Sequence, residues 1–302
     1  NCSEKFLEVV FKNTGGNPYF IVEGLKNAQS INFDPDNFED ESHYPIPPTI
    51  QALVNEKVRR LPASTREVLQ SAAILGQKFQ PKVVEIMVNI KVEELISALE
   101  ELQKFSILNI EDGLLTDSRY EFLHDQVREV VLKEMSPLRK RTLHLKAMEA
   151  LLAVNGEKPE LASIFAYHCE QAGEFNRALG FWIKTAQFAR SRFSKTDTYY
   201  AYRQASSLIP MLQVDDAAEL ILQVVTEWGD YAYDLSDLET CEHIYNLCYQ
   251  LGEQSQNPLL LGAGLSGLGR ISSMKLQIPE GIEQIQRARY FLDLAGNKAE
   301  RL

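Results

Sequence analysis

From Lys158 to the last residue the chain shows only helical patterns joined by short connections. Apolar residues recur at the three- and four-residue spacing of one helix face. The spacing predicts helices at Pro159–Ala172, Phe175–Arg192, Lys195–Ile209, Asp216–Tyr233, Leu238–Gln254, Leu259–Leu276 and Gly281–Leu294. They pair into helix–turn–helix units of about 34 to 42 residues. A single such unit cannot bury its apolar face alone, so the units must stack. Small residues recur where stacking brings backbones close. Ala178 is followed four later by Trp182, Cys241 by Tyr245, and Gly281 by Ile285 and then Ala288. In Phe175–Arg192 the last small residue is displaced by one, to Ala186.

The first half reads differently. Phe6, Leu7, Val10 and Phe11 give a helical stripe, and Gly15-Gly16 stops it. Pro18 can open the next helix at its first turn. Residues 31–47 hold Asp34, Asp36, Glu39, Asp40 and Glu41 with no period, and read as an acidic linker. Thr49 can cap a helix Ile50–Arg60. Helices follow at Ser64–Leu75, Pro81–Val88 and Val92–Phe105. Two short strands, Ile107–Ile110 and Arg119–Leu123, then flank a turn at Asp112-Gly113. Three helices and a β-hairpin are the order of a winged helix.

The hairpin runs into YEFLHDQVREVV, residues Tyr120–Val131. A strand ends at Leu123, and a helix with Val127, Val130 and Val131 begins. His124 sits at the junction, where free backbone N–H groups favour an anion. Its ordinary pKa is near neutrality, so its surroundings decide its charge. The plainer reading is that Asp125 caps the helix and His124 packs. Beyond Ser136-Pro137 a further helix carries Arg139, Lys140 and Arg141, a solvated basic face.

Charge and composition exclude several classes. Net charge is −11 over 302 residues, the wrong sign for a general nucleic-acid binder. The would-be recognition helix carries Glu93, Glu94, Glu100 and Glu101 against Lys104, so nucleic acid is not expected as a partner. The longest uncharged run, Asn257–Gly269, is too short to span a bilayer, and no membrane partner is expected. Cys2, Cys169, Cys241 and Cys248 form no CxxC pair. They read as reduced thiols of a cytoplasmic protein, with Cys241 and Cys248 on one helix face. There is no GxxxxGK[ST], HExxH or GxSxG. His168 and Cys169 are adjacent and point apart on a helix. Asp215-Asp216 reads as a helix cap. No catalytic or metal-ligating set is expected. The chain opens without Met inside a helical pattern, and reads as a piece of a longer protein.

The ordered segments TGGNPYF (Thr14–Phe20), IPPTIQALVNEKVRRLP (Ile46–Pro62), VLQSAAILGQKF (Val68–Phe79), YEFLHDQVREVV, SPLRKRTLHLKAMEALL (Ser136–Leu152) and PELASIFAYHCEQAGEFNRAL (Pro159–Leu179) together resemble the C-terminal part of a STAND-type signalling ATPase. The later helices resemble divergent tetratricopeptide repeats, with Leu268-Gly269 matching a first-helix Leu-Gly. The resemblance implies a helical lid remnant over 1–30, the linker 31–47, a winged-helix domain with flanking helices over 48–157 and helical repeats over 158–302. The fold class would be all-α with one small β-hairpin, followed by an α-solenoid.

Gly16-Asn17-Pro18 resembles the family's GxP motif, whose Pro packs on adenine. Leu123-His124-Asp125 resembles its Met-His-Asp motif, whose His meets the β-phosphate of ADP; Leu stands here for Met. Gly16, Asn17, Pro18 and His124 are therefore the implied ADP/ATP contacts, completed by an upstream ATPase core. The repeats would take a protein partner or inducer. Two alternatives stay open: a pure interaction scaffold without nucleotide contact, and the regulatory middle of a larger kinase or cyclase.

Overall fold

In the computed structural model of the chain, residues 57–111 and 119–299 are described, and before them Phe11, Pro18, Ile21, Val22, Val54 and Asn55. Gly16, Asn17, the linker and the Asp112-Gly113 turn lie outside the described residues. The chain divides into two compact units, Asn1–Gly156 and Glu157–Leu302.

In the first unit, helix α1 (Ala63–Leu75) leads through strand β1 (Lys78–Phe79) to α2 (Pro81–Val88) and α3 (Val92–Lys104). Strands β2 (Leu108–Glu111) and β3 (Arg119–Phe122) follow, then α4 (Asp125–Glu134) and α5 (Pro137–Asn155). Pro81 and Pro137 occupy first helical turns, where the missing N–H costs nothing. The Ser136 hydroxyl accepts from Arg139 N at 3.2 Å and caps α5.

The stripe Val68, Leu69, Ala72 and Ala73 of α1 is fully buried. It packs into one core with Leu95, Leu99 and Leu102 of α3, Phe122 of β3, and Val127, Val130 and Val131 of α4. On α3 it is Ala98 that faces inward, while Ile96 is half exposed.

The expected hairpin is present, with a third strand that the sequence did not announce. The sheet order is β1-β3-β2, antiparallel throughout. Leu108 pairs with Phe122, Ile110 with Tyr120 and Phe79 with Tyr120. β3 is thus the central strand, and its C-terminal end is fixed from both sides. Phe122 N donates to Gln77 O and Leu123 N to Ile107 O, both at 3.0 Å.

The second unit is helical throughout its described residues. A 3₁₀ turn, Pro159–Leu161, enters α6 (Ala162–Ala172). Then come α7 (Phe175–Ser191), α8 (Lys195–Leu208), a 3₁₀ turn at Ile209–Met211, α9 (Val214–Asp234), α10 (Leu238–Ser255), α11 (Pro258–Met274) and α12 (Ile278–Ala299). Consecutive helices pack on one another, and α9 also packs on α7 and α11. This is a helical array of stacked hairpins. Asp215 and Asp216 lie inside the first turn of α9, which begins at Val214, so neither is its N-cap. Among the described residues no helix is long and apolar enough to cross a membrane.

The turns reveal the repeat more clearly than the helices do. Gly173, Phe193, Ser236 and Leu276 all have positive φ. At each, that residue's N–H reaches back three residues and the following N–H five. Ser194 N donates to Ala189 O at 3.0 Å, Asp237 N to Ala232 O at 2.9 Å and Gln277 N to Ser272 O at 2.9 Å. This is the Schellman closure of a helix. Counting from these turns aligns Ala178/Trp182, Thr198/Tyr202/Ala205, Cys241/Tyr245/Cys248 and Gly281/Ile285/Ala288. The second set was not legible beforehand. Helix α7 carries one set and also precedes the turn to α8, so it belongs to two hairpins.

Candidate functional site

In the first unit the candidate site is the β3–α4 junction. The strand ends at Phe122 and the helix begins at Asp125, with His124 extended at φ −139° as its N-cap residue. No side chain caps the first turn. The expected Asp125 cap is therefore corrected. Asp125 is already helical, and its carboxylate accepts from Arg128 Nη1 at 3.2 Å. Arg128 also donates through Nε to Ala73 O at 3.1 Å, tying the first turn of α4 to the last turn of α1.

His124 is half buried. Burial lowers its pKa, and the nearby positive charge of Lys57 lowers it further. The neutral imidazole is thus favoured before any ligand is present. Lys57 itself donates to Phe105 O at 3.3 Å. A cation, an imidazole and the uncapped first turn of a ten-residue helix are the groups an anion can use here. Beside them, Gln77 Nε2 donates to Phe122 O at 2.6 Å. Gln126 is buried at 1% exposure on α4, and neither of its amide atoms has a hydrogen-bond partner.

Pro18 is helical and exposed, while its neighbours Gly16 and Asn17 lie outside the described residues. The basic face of α5 is partly committed. Arg139 reaches α1, with Nη2 at 3.0 Å from Glu67 Oε1 and Nε at 3.2 Å from Gln70 Oε1.

In the second unit the polar chemistry gathers on α7, α9 and α11. Arg190 lies over the Tyr231 ring at 5.2 Å and pairs with Asp234 at 3.7 Å. Arg270 lies over Tyr233 at 4.4 Å and pairs with Asp230 at 2.8 Å. Glu227 accepts from Gln187 and Gln223, both at 2.8 Å, and from Tyr202 Oη at 3.1 Å. Cation–π and charge pairing reinforce each other in this strip. Sequence reasoning missed it. The one available signal was Asp230-Tyr231 and Tyr233-Asp234, inside a stretch from 204 to 269 that has ten acids and no Lys or Arg.

A groove of about 520 Å³ in the same unit is lined by Trp182, Phe188, Arg192 and Tyr200, among others. Trp182 and Tyr200 meet edge to face at 5.8 Å. The three described cysteines are buried. Burial pushes the Cys169 thiol up to about 11 and the Cys248 thiol to about 12, which leaves them protonated and unreactive. Among the described residues no group of His, Cys, Asp and Glu could hold a metal ion.

No protein-family model and no curated protein matches the chain. Among solved structures, the chain is similar to a Signal Transduction ATPase with Numerous Domains (STAND) protein with a tetratricopeptide repeat sensor from Pyrococcus horikoshii. The identity is 15% and the TM-score 0.32, over 97% of this chain and 45% of that one. This chain therefore spans less than half the length of that protein.

Proposed function

We propose that the chain is the regulatory part of a STAND-type signal-transduction ATPase. In this reading Pro18 and His124 contact ADP or ATP held by an upstream core, and the helical array binds a protein partner or inducer. The observation that carries it is the β3–α4 junction. There an N-cap imidazole, Lys57 and the uncapped first turn of α4 converge at the end of a central strand. ADP would bring negative charge to that point and raise the pKa of His124, converting a neutral donor into a charged one. ATP would favour another arrangement only in so far as it binds the two arrangements differently.

The test is nucleotide affinity in a protein extended upstream to include the ATPase core, with His124→Ala beside the parent. Loss of a charge-assisted hydrogen bond weakens ADP by about tenfold, or ~1.4 kcal/mol, with ATP nearly unchanged. Equal ADP affinity in both proteins would sink the nucleotide reading.

The lowered pKa of His124 favours one other reading. A neutral imidazole packed at a junction suits a pure interaction scaffold, with the second unit as its working surface. The same titration separates the two.

A further inference from the structure

The groove of about 520 Å³ in the second unit forms within three consecutive helices, α6 to α8. Its floor is one face of α7: Trp182, Thr185, Phe188 and Arg192, at steps of three and four. Helices α6 and α8 both pack on α7 and are joined to it by short turns, so their first turns flank this floor. Glu160 stands in the 3₁₀ turn that enters α6. Ser194 and Asp197 stand at the start of α8, with Tyr200 one turn further. The size is that of a site for a small organic molecule.

The charges of this groove do not satisfy one another. Among the described residues Glu160 has no hydrogen-bond partner. The Asp197 carboxylate accepts from the Ser194 hydroxyl at 2.5 Å, a neutral donor. Arg192 lies over Phe188, 5.6 Å from the ring centre, and pairs with no carboxylate among the described residues. The neighbouring groove, which shares Phe188, differs: there Lys184 and Glu157 pair directly. A simple cation would meet Arg192 here, and a simple anion would meet Glu160 and Asp197. A molecule that carries both charges answers all three.

The aromatic lining sets the rest of that molecule. Tyr200 is 56% exposed and meets Trp182 edge to face at 5.8 Å. Trp182 is itself held, its Nε1 donating to Glu170. Such a fixed aromatic corner suits an apolar side chain. Thr185 and Arg192 are seven residues apart on α7. That is ~10 Å along the helix axis, the reach of about three extended residues.

We propose that this groove binds a zwitterion with an apolar body: a peptide of about two or three residues, or a free amino acid, with an aromatic or large aliphatic side chain. Its ammonium lies between Glu160 and Asp197. Its carboxylate takes the guanidinium of Arg192, which suits that group's geometry. The side chain packs on Tyr200 and Trp182. The proposal rests on the reading of the helical array as the partner- or inducer-binding part, and gives the inducer a chemistry. It needs no nucleotide contact at His124.

Isothermal titration calorimetry of the 302-residue chain is the experiment. The probes are phenylalanine, phenylalanyl-leucine and leucyl-phenylalanyl-leucine, with the N-acetyl and C-amide forms of the dipeptide. Either blocking group removes one charge and is expected to weaken the dipeptide at least about tenfold. Arg192→Gln is expected to weaken the free dipeptide by a like factor, and then to bind its free and amidated forms equally. Glu160→Gln combined with Asp197→Asn is expected to do the same for the free and acetylated forms. All three side chains are exposed, and circular dichroism checks that each variant is folded. Whichever of the amino acid, dipeptide and tripeptide binds most tightly names the source. No binding of any of the three at millimolar concentration overturns the proposal. So does a dipeptide indifferent to its blocking groups, or a blocking effect that persists unchanged in the variants. Failure here leaves the array to a protein partner, and the ADP titration of His124→Ala is read separately.

Discussion

A Cβ added to Gly267 would lie 2.1 Å from Cδ1 of Tyr245, and one added to Gly229 would lie 2.4 Å from the same ring. One aromatic ring is thus held between glycines of two neighbouring helices, α9 and α11. Gly267→Ala gains about 1 kcal/mol of helix propensity, while overpacking against a ring with no free side costs more. The expected net loss is ~1 to 2 kcal/mol, read as a lower denaturant midpoint. Gly296→Ala, where space is open, is expected to gain stability in the same measurement.

Phe193 and Leu276 close their turns at φ 57° and 61°, a region that disfavours bulky side chains. They are 94% and 84% exposed, so little packing offsets the strain. Gly173 fills the same kind of turn without a Cβ. Phe193→Gly and Leu276→Gly are each expected to raise stability by about 0.5 to 1 kcal/mol, after the added freedom of the unfolded chain is counted. A fall in melting temperature for either would show that the side chain is held by packing.

His144 on α5 is 7% exposed, and burial, with Lys140 second, lowers its pKa to about 4. Unfolded, it titrates near ~6.5. Between those values the unfolded chain binds a proton that the folded chain refuses. Stability therefore falls as pH drops through that window, by up to ~3 kcal/mol at its acid end, and is unaffected above it. The lowered pKa of His124 acts in the same direction. His144→Met is expected to flatten the acid limb of a stability–pH curve. An unchanged slope would assign that limb to other groups.

Gln126 buries an amide without hydrogen-bond partners on α4. An apolar side chain of similar size removes the desolvation penalty. Gln126→Leu is expected to leave stability equal or raise it by ~1 kcal/mol. A loss of that size would instead reveal a bound water satisfying the amide.

Helix periodicity carried most of the fold. The stripe Val68, Leu69, Ala72 and Ala73 is the buried face of α1, and the junction at His124 lies between a strand and a helix as its residues imply. Strand β1 was invisible because two residues, Lys78 and Phe79, have no period; pairing with Glu121 and Tyr120 defines it. The Thr198/Tyr202/Ala205 face of α8 was hidden among neighbouring tyrosines, which give an apolar pattern little contrast. Helix α12 begins at Ile278, ahead of the expected Gly281, because Pro279 is tolerated in a first turn.

At the junction, Asp125 looked like a cap until Arg128 claimed it. The partners that define the sites are remote in sequence: Ala73 for Arg128, and Asp234 for Arg190. No local pattern announces such pairs. Gly16 and Asn17 stay on the strength of their motif alone.

Helix α9 packs against α7, α8, α10 and α11, so melting it would cost four interfaces at once. Helix α12 rests chiefly on α11. In a linear array, stability is close to a sum over neighbours. Amide exchange is then expected to be slow in α9. A partner gripping α7, α8, α10 or α11 would add to what an opening of α9 must break, and its arrival would register as still slower exchange in α9.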